Sequence, residues 1–245
     1  MTRTLIEWFD LGRVEYERAY RLQIQLSKIL KSRPLGGYLL FLEHPPTITL
    51  GYSLKGDEGK SELRVSGSVL EERGIKVFHT DRGGKATFHG PGQLVAYPIF
   101  NLNRFDLNSK RFVNRLEDVA INWFMSRGLP VVRDVAYPGV WVENKKVASV
   151  GVRIQDRVSR HGIALNLEPD LSYFDLIVPC GIRERKMTSY FELTGKKLEH
   201  KEVRAGLLRE FGVVFDADLE AGGQETLIFE GGLDDNQRMA DTGTV

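Results

Sequence analysis

The chain of 245 residues is 42% hydrophobic and 27% charged, the make-up of an ordinary globular protein with material for a sizeable core. Its net charge of +1 gives no overall case for binding nucleic acid or a membrane surface, and no apolar run approaches the length of a membrane span. The single cysteine rules out an internal disulfide or a cysteine-cluster metal site. Met1-Thr2-Arg3 does not open a secretory signal, so a cytoplasmic protein is expected.

Hydrophobic spacing predicts a first helix over 14–31, with Ala19, Leu22, Leu26, Ile29 and Leu30 on one stripe. Gly36-Gly37 closes it, and 38–41 reads as a buried strand. His44-Pro45-Pro46 forces an extended corner before a second strand at 47–51. A short helix over 67–73 stops at Gly74, and 75–80 is a strand that delivers a glycine-rich run, followed by a strand at 94–100. Phe112, Leu116, Val119, Ala120, Trp123 and Phe124 mark the clearest helix, capped by Asn108-Ser109 and stopped by Gly128 and Pro130. Next comes a β region: 139–143, a turn at Asn144-Lys145, then 146–154 and 158–167. Val203, Leu207, Leu208 and Phe211 make a last amphipathic helix, with a final strand at 213–215. These elements predict one α/β domain (α+β) over 1–220, with a mixed sheet, flanking helices and a smaller sheet built from the 139–167 region. Residues 221–245 are rich in Gly, Asp and Gln and are expected to be a disordered tail. There is no internal repeat.

The run from Asp81 to Pro98 is the most informative stretch. Arg82, Gly83, Gly84, Lys85, Ala86, Thr87, Phe88 and His89 lead into Gly90-Pro91-Gly92-Gln93. Glycines at this density let backbone approach another group closely, and the polar residues between them supply donors and acceptors. A plain turn has no use for Arg82, His89 and Gln93 together. Gly84-Lys85-Ala86 is not a P-loop, because no Ser or Thr follows the lysine and no glycine lies five positions before Gly84.

A lone cysteine is more often a small buried hydrophobe than a nucleophile. Cys180 sits in Val178-Pro179-Cys180-Gly181, where Pro179 and Gly181 stiffen and bend the chain, and Gly181 leaves a backbone N–H free to approach a carbonyl oxygen. Lys146 opens a strand whose alternation continues through Ala148, Val150, Val152 and Ile154. Burying its charge is costly, and desolvation there would favour the neutral amine, the form that takes a proton. The alternative is a strand-end lysine that snorkels into water. His161 shares the alternation face of Ile163, Leu165 and Leu167, a core or wall histidine. His89 is better placed, inside the glycine-rich run, and His44 reads as structural. No two histidines stand at ligand spacing, so no metal is expected.

The string Arg82-Gly83-Gly84-x-x-Thr87-Phe88-His89-Gly90-Pro91-Gly92-Gln93-Leu94-Val95-x-Tyr97 resembles the signature of the lipoyl(octanoyl) transferases, and the resemblance runs from about Leu39 to Phe191. It implies the fold of the biotin and lipoate protein ligases. It also implies octanoyl transfer from octanoyl-acyl carrier protein to a lysine of lipoyl domains, those of 2-oxoacid dehydrogenase E2 subunits and of glycine cleavage H protein. On this resemblance Cys180 carries the acyl thioester and Lys146, in Lys146-Val147-Ala148-Ser149-Val150-Gly151, is the acid/base. Residues Arg82 to His89 wall the acyl pocket with Ser149, Val150, Gly151, Gly162, Ile163 and Ala164. No cofactor and no ATP are implied, and the chain is expected to act as a monomer. The segment Arg183-Glu184-Arg185-Lys186 is more charged than the family pattern, and would suit docking of an acidic carrier. Three rivals stand beside this reading: an ATP-dependent ligase on the same fold, a Cys-His thioesterase or amidase, and a non-catalytic acyl-binding module.

Overall fold

The computed structural model describes residues 3–54, 61–178, 185–223 and 227. Among them, nine strands form one sheet. Its order is β12 (Ala217–Ala221), β1 (Thr4–Arg13), β2 (Gly37–Glu43), β6 (Gln93–Phe100), β10 (Val158–Asn166), β9 (Lys145–Gln155), β8 (Gly139–Val142) and β7 (Val132–Arg133), with β11 (Lys186–Met187) beside β9. Strand β1 pairs in parallel with β2 and β12, and the β2-β6-β10-β9-β8-β7 ladder is antiparallel. A three-stranded sheet packs separately, in the order β4 (Lys76–His79), β3 (Thr47–Leu50), β5 (Ala86–His89).

Strand alternation sends alternate residues to opposite faces, and both faces of the large sheet are covered. One face carries Leu39, Phe41, Leu94, Ala96, Ile163 and Leu165. It packs on α3 (Ser109–Met125) and α5 (His200–Phe215), which contribute Phe112, Leu116, Trp123, Leu207 and Phe211. The opposite face carries Tyr38, Leu40, Leu42, Val95, Tyr97 and Ala164, against Ala19, Leu22 and Leu26 of α1 (Tyr16–Ile29). Each such side chain contributes about 1.5–3 kcal/mol when fully buried. A third cluster joins Ile48, Leu50, Ala86 and Phe88 of the small sheet to Leu70 of α2 (Gly67–Glu72) and to Phe174 and Leu176. Helix α3 starts as its cap predicts: Asn108 Oδ1 accepts from the Arg111 N–H at 2.9 Å. A short helix α4 (Tyr190–Thr194) precedes α5. Among the described residues no helix is long and apolar enough to cross a membrane.

Three expectations need correcting. The 139–167 region does not form the smaller sheet, because Ile163 pairs with Ala96 and carries that region into the large one. The smaller sheet comes instead from 47–89, and its strand β5 lies inside the glycine-rich run. Residues 213–215 are helical, since Val214 and Phe215 extend the Phe211 stripe and the left-handed Asp216 (φ 49) ends the helix one residue later. The last strand among the described residues, β12, is polar and pairs on β1, a strand the hydrophobic pattern did not reveal. Of residues 221–245, expected to be a disordered tail, 221–223 and Leu227 are among those described: Ala221 ends β12, and Leu227 is buried against the α1 side of the sheet.

Candidate functional site

Between the two sheets lies a narrow cavity of about 50 Å³. Its main-sheet wall follows from parity. Ser149 and Gly151 of β9, Gly162 and Ala164 of β10, and Val95 and Tyr97 of β6 line it, joined by Val150 and Ile163. The facing wall is Arg82, Gly83, Gly84, Lys85, Thr87 and His89, with Tyr16 from α1. Ala86 and Phe88 do not reach it. On β5 they alternate with Thr87 and His89, so they face the small core, where Phe88 stacks on Tyr173 at 4.7 Å. Tyr16 and Tyr97 are additions to the expected wall. Tyr97 was within reach of strand parity from Gln93, while no pattern announced Tyr16.

Close backbone approach explains two of the glycines. A Cβ on Gly162 would lie 2.1 Å from the Ala96 carbonyl oxygen, and one on Gly51 would lie 2.1 Å from that of Gly84. Arg82 is buried and holds this wall in place. Its Nη2 donates to the carbonyl and hydroxyl of Thr49 at 2.6 and 2.8 Å, its Nε to the same hydroxyl at 3.1 Å, and Nη1 to the Gly83 carbonyl at 3.0 Å. The Gly83 N–H then donates to Val152 O at 2.9 Å, stitching the glycine-rich segment to β9.

Lys146 is 2% exposed, but not on the face that simple alternation assigned. Trp141 pairs with Lys146 and Val140 with Ala148, so Val147 is the extra residue of a β-bulge. Ala148 and Val140 belong to the helix-covered core, whereas Trp141 does not. The bulge therefore turns Lys146 away from Ala148 and onto the sheet face of Ser149 and Gly151, although Lys146 itself is not among the residues that line the cavity. Its Nζ donates to Pro138 O at 3.0 Å and lies 4.8 Å from the centre of the Trp141 ring. The side chain passes Gly139, where an added Cβ would sit 3.1 Å from the lysine Cε. Cys180 lies outside the described residues.

A buried polar chain ties this end of the cavity together. His89 Nδ1 and Gln93 Oε1 are 2.7 Å apart, so the Nδ1–H donates to the amide oxygen. Gln93 Nε2 donates to Asn166 Oδ1 at 2.9 Å, and Asn166 Nδ2 donates to Thr188 O at 2.9 Å. The Thr188 N–H completes the chain by donating to Lys146 O at 2.9 Å. Asn166 carried no motif, yet its parity with Gly162 and Ala164 places it on the cavity face. Burial, reinforced by the neighbouring His44, pushes the His89 imidazole down to about 3. Burial also pushes His44 down to about 4. Both rings are neutral at pH 7. His44 donates from Nδ1 to Val14 O at 2.7 Å and accepts the Tyr97 hydroxyl at Nε2 at 2.8 Å.

His161 also departs from alternation. Its φ of 57° is left-handed, and the side chain leaves the face of Ile163 and Leu165 for the cavity side. There its Nε2 lies 2.8 Å from Asp81 Oδ1, and the ring stacks on Tyr20 with centroids 5.5 Å apart. Burial pushes the imidazole below its ordinary value. Burial alone would raise the Asp81 carboxyl, but the hydrogen bonds from His161 and Arg160 hold it well below the usual carboxylate range. The ring is thus neutral, with its Nε2–H donating to a carboxylate that Arg160 also grips.

A sequence profile described as "Lipoyl protein ligase A/B catalytic domain" matches residues 15–212. The octanoyltransferase of Chloroflexus aurantiacus is 44% identical over 209 residues, covering 84% of this chain and 92% of its own. That of Koribacter versatilis is 41% identical over 218 residues, covering 86% of this chain and 84% of its own. Among solved structures, a bi-partite lipoate protein ligase from Thermoplasma acidophilum, described with its E2 lipoyl domain, superposes with a TM-score of 0.70. It is 17% identical and covers 91% of this chain and 87% of that one, a likeness of fold. The mixed sheet with flanking helices and a smaller second sheet is the lipoate protein ligase fold, and the relatives are octanoyltransferases, enzymes of the acyltransferase class. The chain belongs to the lipoyl protein ligase A/B catalytic-domain family, and within it to the octanoyltransferases.

Proposed function

We propose that the chain takes an octanoyl group from octanoyl-acyl carrier protein and delivers it to a lysine of a lipoyl domain, through a thioester on Cys180 with Lys146 as acid and base. The observation that carries this reading is the bulge at Val147. It sets a buried lysine amine on the sheet face that also carries Ser149 and Gly151, members of a cavity wall of glycines, alanine and valine suited to a straight acyl chain.

In the first half-reaction Lys146 accepts the Cys180 thiol proton and the thiolate attacks the thioester carbonyl. The carrier's pantetheine sulfur leaves and takes the proton back from Lys146. In the second, the amine of the acceptor lysine attacks the acyl-enzyme and Cys180 leaves as thiolate. The proton lost by the new amide nitrogen passes to Lys146 and returns to the sulfur. A thioester is already activated, so neither half-reaction calls for ATP. Chain connectivity supports the pairing of the two residues. Cys180 lies between Val178, whose N–H donates to Glu62 O at 2.8 Å, and Met187, the strand partner of Lys146.

The acceptors in this reading are the lipoyl domains of 2-oxoacid dehydrogenase E2 subunits and glycine cleavage H protein, and the enzyme works as a cytoplasmic monomer. A single cysteine suits that reducing compartment. Arg183, part of the basic segment considered for carrier docking, lies outside the described residues. Arg185 is paired with Asp134 and lies 4.9 Å from the Trp141 ring centre, a contact that sets its charge beside the Lys146 end of the cavity.

The test is the intact mass of the full chain after incubation with octanoyl-acyl carrier protein without ATP, beside Cys180→Ala. The expected result is one octanoyl adduct on the unmodified chain, absent from the variant and discharged by a lipoyl domain. Modification of the lipoyl domain only when ATP and free octanoate are supplied would overturn the reading in favour of a ligase. Release of free octanoate without an acceptor would instead make it a thioesterase.

A further inference from the structure

The reactive end and the closed end of the cavity can be told apart by strand register. At one end the Lys146 side chain runs past Gly139, which pairs with Ser149. At the other, His161 pairs with Val152, three residues further along β9. At about 3.3 Å per residue this separation is about 10 Å. The Val152 level is also where the glycine-rich segment is stitched down, through the Gly83 N–H to Val152 O. Two independent elements therefore meet β9 at the same level, His161 through strand pairing and Gly83 through a hydrogen bond.

The side chain at that depth is held on every side. His161 is 2% exposed, and its N–H donates to Gln23 Oε1 of α1 at 2.6 Å. Its Nε2–H donates to Asp81, which pairs with Arg160, and Tyr20 backs the ring on the α1 side. Tyr20, Asp81 and Arg160 are only partly buried, so the groups that back the ring stand at the edge of the core. A left-handed backbone at a residue with a side chain is uncommon, and such conformations cluster at ligand clamps. Here it turns the imidazole across the cavity, where ordinary alternation would have sent it into the helix-covered core.

We infer that His161, latched by Asp81 and Arg160 and backed by Tyr20, is the end wall that sets the length of acyl chain the cavity accepts. This rests on the cavity being the acyl site proposed above. The dimension agrees with it. With carbon–carbon bonds of about 1.5 Å, the zigzag from the carbonyl carbon to the end of an eight-carbon chain spans about 9 Å. A ten-carbon chain must meet the imidazole. Removing the ring opens the cavity toward the gap between α1 and the Asp81 turn, and longer chains gain room there.

The test measures binding without turnover. Dissociation constants of octanoate, decanoate and dodecanoate are determined by calorimetry on the full chain, for the unmodified protein, His161→Ala and Tyr20→Ala. The unmodified protein should prefer octanoate. Each added methylene that finds an apolar place is worth about fourfold, so the decanoate-to-octanoate affinity ratio should rise by up to about 15-fold in His161→Ala. Tyr20→Ala removes only the backing and should shift the same ratio part of the way. It changes a half-buried helix residue, so it reports even where His161→Ala does not fold. An unchanged ratio in folded His161→Ala, or in Tyr20→Ala where that variant alone folds, overturns the end wall. Absence of medium-chain acid binding by the unmodified protein would instead overturn the acyl cavity itself.

Discussion

Replacing Asn166 with alanine tests the polar chain that joins the cavity wall to the Lys146 backbone. Asn166 is 1% exposed and makes two directed bonds, accepting from Gln93 Nε2 and donating to Thr188 O, each 2.9 Å. Truncation leaves a buried donor and a buried acceptor each short of a partner. At about 1–3 kcal/mol per such group, the loss is about 2–6 kcal/mol. For a chain of this size that lowers Tm by about 4–24 °C. The functional effect should exceed the thermal one, because Thr188 is what holds the Lys146 carbonyl, and small displacements of a reacting group cost up to about 100-fold in rate. The assay is a thermal scan beside steady-state octanoyl transfer, with kcat falling more than KM for the acyl donor rises. Gln93→Ala and the double variant should be non-additive with it, as members of one network are. Asn166→Ala with unchanged Tm and unchanged kcat would refute the argument, and so would strictly additive losses.

Three further outcomes follow from the same geometry. A hexanoyl donor lacks two methylenes and should react with kcat/KM about 15-fold below octanoyl, and a difference below about threefold would mean that the chain is not buried. Arg82→Lys replaces a fork by a point charge that cannot reach the hydroxyl and carbonyl of Thr49 together with Gly83 O. It should raise KM for the donor and lower Tm by several degrees, and a lysine variant equal to the original would remove the positioning role. His44 is held neutral by burial, its value lowered from 6.5 to about 4. The unfolded chain therefore binds more protons than the folded one between those values, and stability present above pH 6.5 is lost as pH falls toward 4, on the order of a few kcal/mol. His44→Gln should flatten that part of a denaturation-versus-pH curve, and an unaltered slope would exclude His44 as its source.

The glycine-rich segment was readable because so many of its residues have no use in a plain turn. Helix α3 was readable because periodicity, cap and stop agree. The two errors of face share one cause. Period-two reasoning assumes an unbroken strand, and both strands break it, β9 with an extra residue at Val147 and β10 with a left-handed residue at His161. Neither break carries a glycine or proline to announce it. In each case the break turns the polar side chain away from the helix-covered core, His161 into the cavity wall and Lys146 onto the sheet face of Ser149. The smaller sheet was misassigned for another reason. Residues 47–50, 76–79 and 86–89 are short strands far apart in sequence, and a local pattern holds no record of which segments will meet.

The pairing of β12 on β1 has a consequence for the order in which the chain is made. Arg3 and Asp216, bonded at 3.0 Å, are 213 residues apart. At a synthesis rate of about 5–20 residues per second, about 10–40 seconds pass between the emergence of one strand and its neighbour. During that time β1 has a partner on its β2 side alone, and its outer rim of N–H and C=O groups is an open template for another chain. The strand that finally covers it carries Asp218 and Glu220, charges that discourage any further strand from adding beyond. Among the described residues the last strand to appear is thus the one that covers the rim of β1, and nascent chains that stall before Ala217 should be more prone to associate with one another than the full chain.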